Sequence, residues 1–108
     1  DDARLVSLKG MDSAAAANGN VVINLADSAG ILTVRDLPTL PTDRIYQVWL
    51  ILGERKINCG RFNVGPDGRA VAKIDIAGLL QGGRLMVTVE PKGGTPEPTG
   101  PMVMLSRA

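Results

Sequence analysis

The segment Tyr46-Gln47-Val48-Trp49-Leu50-Ile51 narrows the folds open to this chain more than any other stretch. At a period of two, Ile45, Gln47, Trp49 and Ile51 share one face, and Tyr46, Val48, Leu50 and Leu52 share the other. Both faces are largely apolar. A strand with one wet face would alternate, so this one is expected to be central and covered on both sides. Tyr46 and Trp49 are two of the three aromatic residues, and Phe62 follows closely.

The rest of the chain repeats the theme on a smaller scale. Leu5–Lys9, Val21–Leu25, Ile31–Arg35, Ile57–Val64, Val71–Ile76, Leu85–Glu90 and Met102–Leu105 are short apolar or alternating runs, rich in β-branched residues. Thirteen Gly and seven Pro fall mostly between them and mark the turns. Val21–Leu25 and Ile31–Arg35, joined through Asp27-Ser28-Ala29-Gly30, predict a hairpin. In Val71–Ile76, Ala70, Ala72, Ile74 and Ile76 face in while Lys73 and Asp75 face out. The Pro-bounded Leu37–Asp43 cannot continue a ladder, because proline lacks an N–H, and is expected to cross from one sheet to another with Leu37 and Leu40 as anchors. Asn18-Gly19 and Gly65-Pro66-Asp67-Gly68 read as turns, and Gly53 to Lys56 as a polar tip. Met11–Asn18 predicts a loop with one helical turn capped by Asp12 or Ser13. Ala77–Gln81 predicts another such turn, with Leu79 or Leu80 plugging one end of the core. Pro91 to Pro101, with four prolines and three glycines, reads as a wide irregular loop. About eight short strands at steady spacing predict an all-β fold: an antiparallel β-sandwich, immunoglobulin-like or a related Greek key. At 108 residues, with no linker or repeat, residues 1–108 form a single domain.

Chemistry is harder to find. There is no histidine, which removes the commonest general base and the usual zinc ligand, so no catalytic, cofactor or metal residues are assigned. Cys59 would be a nucleophile only with a lowered pKa; in a strand-like run it reads as an inert small residue. Glu90 is the acid inside a strongly apolar strand and has no obvious carboxylate partner for acid–base work. It is expected to end its strand and to hydrogen-bond or form a salt bridge near the Gly93-Gly94 loop. Those glycines, like Gly82-Gly83, lack the context of a phosphate-binding loop. The net charge of +1 is spread thinly and the aromatics are few, which argues against nucleic acid as a partner. No run of 18 apolar residues exists to span a membrane. The chain opens at Asp1-Asp2-Ala3-Arg4 without a methionine, and we expect a domain of a longer precursor.

Four segments in order carry a family resemblance. They are Leu37-Pro38-Thr39-Leu40-Pro41; Tyr46-Gln47-Val48-Trp49-Leu50-Ile51; Gly60-Arg61-Phe62; and Val87-Thr88-Val89-Glu90-Pro91-Lys92-Gly93-Gly94-Thr95-Pro96, continuing to Pro98-Thr99-Gly100-Pro101. Across roughly residues 20 to 106 they resemble the C-terminal domain of anti-sigma-K factors, and Tyr46, Gln47, Trp49, Phe62, Thr88, Glu90, Pro91, Gly93 and Gly94 match its motif. The resemblance implies a non-enzymatic, extracytoplasmic sensory or regulatory domain in the periplasm or at the cell surface. It implies an extracytoplasmic-function (ECF) sigma factor as partner, held by an N-terminal cytoplasmic segment that these residues do not include. It also implies a single membrane helix, likewise outside them, and membrane proteases that release the sigma factor.

Two other readings remain beside it. One is a ligand- or carbohydrate-binding β-sandwich using the Gly93–Pro101 loop and the tip around Glu54–Lys56. The other is an enzyme using Glu90 or Cys59. Weak self-association through an uncovered edge strand is open to any such sandwich. The central-strand reading makes one quantitative prediction. Trp49→Ala is expected to cost about 3–5 kcal/mol, a large part of a typical net stability of about 5–15 kcal/mol. A loss below about 1 kcal/mol in equilibrium denaturation would place Trp49 outside the packed interior.

Overall fold

The computed structural model describes residues 3–24, 26, 29–76 and 82–107. Eight strands follow one another: β1 (Ala3–Gly10), β2 (Asn18–Asn24), β3 (Ala29–Arg35), β4 (Arg44–Leu52), β5 (Arg55–Phe62), β6 (Ala70–Asp75), β7 (Arg84–Pro91) and β8 (Met102–Ser106). All ladders are antiparallel and join in one sheet of order β5-β4-β7-β8-β1-β2-β3-β6. The sheet curls until its two edge strands, β5 and β6, lie side by side. A Cβ built on Gly60 of β5 would be 3.8 Å from Ile74 Cγ2 of β6. The all-β, eight-stranded antiparallel fold is therefore present as one nearly closed sheet, between a barrel and a sandwich. The Leu37–Asp43 crossover accordingly links distant positions within one sheet.

The inner face carries the core. Val21 and Ile23 of β2, Leu32 and Val34 of β3, Tyr46, Val48 and Leu50 of β4, Leu85 and Val87 of β7 and Ile74 of β6 are buried together. These positions alternate along their strands, because successive side chains leave opposite faces. In β6 the inward set Ala70, Ala72 and Ile74 and the exposed Lys73 and Asp75 follow the expected pattern, with Ile76 buried just beyond the strand.

β5 departs from simple alternation. Val48 pairs with Gly60 and Trp49 with Asn58, so Cys59 has no partner across the ladder. This bulge shifts the inward parity from odd to even: Ile57 and Cys59 face the core before it, Phe62 and Val64 after it. Phe62 thereby meets its cross-strand partner Tyr46, with ring centroids 5.4 Å apart and planes 23° off parallel.

Several turn expectations are revised. Asn18 and Gly19 lie inside β2, opposite Arg35 and Val34, because residues 10–17 have already reversed the chain. Ala29 and Gly30 belong to β3. Arg55 and Lys56 belong to β5, so the polar tip shrinks to Gly53-Glu54; Gly53 has φ +64°, the conformation a two-residue hairpin needs at its first position. The helical turn is a 3-10 turn, Asp12–Ala14, whose N-cap is Met11; neither Asp12 nor Ser13 caps it with a side chain. The turn expected at Ala77–Gln81, with Leu79 and Leu80, lies outside the described residues. Leu37 is buried and Leu40 half-buried against the core, as anchors of the crossover.

The 3-10 turn packs on the end of β1. Gly10 N–H donates to Ala17 O at 2.9 Å, and Ala14 and Ala17 are buried. A Cβ on Gly10 would fall 1.9 Å from Ala14 O and 2.7 Å from Ala17 O, both backbone atoms. Gly10→Ala is therefore expected to destabilise the domain by about 2 kcal/mol or more, read as a lower urea midpoint at unchanged m-value. A change within about 0.5 kcal/mol would mean that the turn does not pack against β1 as described.

Candidate functional site

Four of the motif residues, Gln47, Trp49, Thr88 and Glu90, gather on the outer face of β4 and β7, while Tyr46 and Phe62 stack in the inner core. Ladder register places Gln47 opposite Thr88, Trp49 opposite Met86 and Ile45 opposite Glu90. These side chains point away from the barrel core, yet Gln47, Trp49 and Glu90 are each 0 % exposed and Thr88 is 1 % exposed. The cover is the Pro- and Gly-rich segment 92–101, folded back over the sheet and held by its own backbone bonds. Lys92 N–H donates to Asp43 O at 2.9 Å, Gly94 N–H to Pro91 O at 2.9 Å and Val89 N–H to Pro101 O at 3.1 Å.

Polar groups buried here need partners, and each motif side chain supplies one. The indole N–H of Trp49 donates to Thr88 Oγ1 at 2.8 Å. An indole can only donate, so the Thr88 hydroxyl proton is directed elsewhere, to Glu90 Oε2 at 2.6 Å. The Glu90 carboxylate also accepts from Thr99 N–H at 3.1 Å, Thr99 Oγ1 at 2.6 Å and Gly100 N–H at 3.2 Å. Burial pushes the Glu90 carboxyl up, but the hydrogen bonds from Thr88, Thr99 and Gly100 outweigh it and hold it below its ordinary value. Every group around it donates, which is the pattern an ionised carboxylate requires. Gly100 is obligatory, since a Cβ there would lie 1.7 Å from Val89 O.

Gln47 fastens the other end of the segment. Its amide donates to Thr95 O at 3.0 Å and accepts from Thr95 N–H at 3.1 Å, reproducing a backbone ladder pair with a side chain. Gly93 and Gly94 have φ of +99° and +81°. A Cβ on Gly94 would lie 3.1 Å from Gln47 Oε1 and 2.7 Å from Arg61 Cδ. Arg61 Nη1 donates to Gly93 O. On the opposite face of β4, Tyr46 donates its hydroxyl to Pro38 O at 2.6 Å and ties the crossover to the strand. Burial pushes the Tyr46 phenol up from its ordinary value, which keeps that proton in place.

Glu90 thus hydrogen-bonds to the expected loop, but at Thr99 and Gly100 and not at Gly93-Gly94, and also to Thr88 on its own strand. Those glycines instead lie against Gln47 and Arg61. Thr95, Thr99 and Arg61 emerge as partners that the sequence did not single out. The only available signal was their place inside the Gly-Gly-Thr-Pro, Pro-Thr-Gly-Pro and Gly-Arg-Phe segments. Neither candidate catalytic residue has the geometry for its task. The Glu90 oxygens are occupied and shut off from solvent. Cys59 is buried, and burial, with a smaller push from the Asp75 charge and against a backbone bond from Leu50, raises its thiol to about 11.

The family model for the anti-sigma-K factor rskA, C-terminal, matches residues 2–102. The chain belongs to this family. Membership carries a regulatory anti-sigma role, with a sigma factor as partner, in a family that is not typically enzymatic. No curated protein and no solved structure gives a match. In this member of the anti-sigma-K family Gln47 and Glu90 hold the 92–101 segment onto the sheet.

Glu90 links that arrangement to pH. A carboxyl whose folded pKa lies below its unfolded value of about 4.3 contributes stability that is fully present above about pH 4.3 and is lost as pH falls through the folded pKa. Glu90→Gln places an NH₂ among donors and is expected to cost about 2–3 kcal/mol at pH 7. The gap between the native chain and the variant should narrow in urea titrations as the pH drops below about 4. A gap constant from pH 7 to pH 3 would show that Glu90 is not held ionised by this network.

Proposed function

We propose that this domain is the extracytoplasmic sensory and regulatory part of a membrane-anchored anti-sigma factor, and that it controls an ECF sigma factor through regulated proteolysis. The observation that carries the reading is the family match over residues 2–102. The site supports it by its character: the motif residues are spent on hydrogen bonds within the domain, and the two chemically suggestive side chains are sealed. A domain of this kind acts through its folded state. Attached beside a membrane segment, it shields the cleavage site from membrane proteases. A signal that loosens the 92–101 cover or unfolds the sheet exposes that site and releases the sigma factor, which is held by a cytoplasmic segment of the same protein. Local opening of one segment is cheaper than global unfolding, which makes the cover a natural point of control.

The test is a full-length precursor carrying or lacking this domain, followed for anti-sigma cleavage and for transcription from a sigma-dependent reporter. Loss of the domain is expected to change both, and Glu90→Gln, which loosens the cover, to shift them in the same direction by a smaller amount. Signal response and cleavage that are unchanged without the domain would overturn the proposal.

A further inference from the structure

A cleft of about 270 Å³ opens where the 93–96 turn meets β5, lined by Gln47, Asn58, Arg61, Gly93, Gly94 and Thr95 among others. Its side chains leave several hydrogen-bond donors unused. Gln47 is engaged at both ends by Thr95. Asn58 Oδ1 accepts from Gly60 N–H at 3.0 Å, so the end Asn58 has left to offer is its NH₂. The Arg61 guanidinium has five N–H groups and gives one to Gly93 O; among the described residues no carboxylate pairs with it. Thr95 Oγ1 is buried with no hydrogen-bond partner among the described residues. No acidic side chain lines the cleft.

A concave site with a guanidinium and an amide NH₂, and with no acidic side chain in its lining, is complementary to an anion with two acceptor oxygens. The guanidinium favours a planar carboxylate, because its parallel N–H groups match the two oxygens. Gly94 keeps the site open: any side chain there would strike Arg61 Cδ and Gln47 Oε1. We propose that the cleft formed by Asn58, Arg61 and Thr95 binds a carboxylate group of a small ligand, of the kind presented by the free C-terminus of a peptide or by an acidic sugar. Such a ligand would bridge β5 to the segment that covers β4 and β7, so its occupancy would hold that segment in place. The inference goes beyond the regulatory role and does not rest on it, since binding is a property of the folded domain alone.

The experiment is a titration of the ¹⁵N-labelled 108-residue chain followed by NMR, with N-acetylglycine and glucuronate as the two carboxylate sources, N-acetylglycinamide as the uncharged control and inorganic phosphate as the alternative oxyanion. The expected result is a saturable shift of the Arg61 Nε–H, the Asn58 side-chain NH₂ and the Gly93, Gly94 and Thr95 amides with at least one carboxylate. The dissociation constant expected for one such group is on the order of 1–10 mM. The carboxylate that saturates first identifies the source. Asn58→Asp keeps an acceptor for Gly60 N–H and places a negative charge in the cleft. It should weaken binding at least about tenfold while the spectrum stays dispersed. Arg61→Lys, which keeps the charge and loses the fork, should weaken it several-fold. No saturable shift with either carboxylate, equal shifts with the uncharged amide, phosphate binding as tight as carboxylate, or undiminished binding in folded Asn58→Asp would each overturn the proposal.

Discussion

An ionised carboxylate buried without a cation is the constraint on which the outer half of this domain depends. Among the described residues no lysine or arginine pairs with Glu90, and its side chain is fully buried. Removing such a charge from water is costly unless donors replace the lost hydration. Here the replacement comes from three places: a threonine two residues back on the same strand, a threonine hydroxyl and two backbone N–H groups at 99–100. The carboxylate therefore specifies where residues 99 and 100 must sit. Because Thr88 is also the acceptor for Trp49, the same network fixes the indole of the central strand.

The central strand β4 is consequently buried by two different means. Its inner side chains, Tyr46, Val48 and Leu50, join the apolar core of the curled sheet, where burial is non-directional and tolerant of exact geometry. Of its outer side chains, Trp49 is tied to Thr88 and Gln47 is covered by a loop, and a loop brings backbone groups that must be satisfied. That is why the outer layer is built on directed hydrogen bonds from Gln47, Thr88 and Glu90. The opposite part of the sheet has no such cover: Leu5, Val22 and Ile31 are adjacent across β1, β2 and β3 and stay 44–65 % exposed.

This arrangement accounts for a family signature without chemistry. Motifs rich in Trp, Gln, Glu, Thr and Gly often mark ligand or catalytic sites, because polar groups at fixed spacing are needed there. Here the fixed spacing serves a cover that must close at two ends, at Thr95 through Gln47 and at Thr99 through Glu90. Cys59, raised to about 11 and sealed beneath the bulge in β5, is part of the packing.

The strand content, the two-sided burial of Tyr46–Leu52, the inward face of β6 and the family were all legible in the sequence, because each rests on local periodicity or on residue order. The anchoring of Leu37 and Leu40 was legible too, since proline excludes the crossover from the ladders. Other features depended on residues far apart in the chain. That one sheet curls until β5 meets β6 follows from the non-consecutive neighbours β4·β7, β8·β1 and β3·β6, which no local pattern encodes. The bulge at Cys59 reverses the parity of β5 and appears only when β4 is set beside it. Asn18-Gly19 carries turn chemistry yet lies in a strand, because the reversal occurs earlier, over residues 10–17. That Glu90 needs partners near the end of its strand can be read from its place in an apolar run. That these are Thr88, Thr99 and Gly100 depends on the fold, since a buried charge requires donors but does not say which part of the chain can reach it.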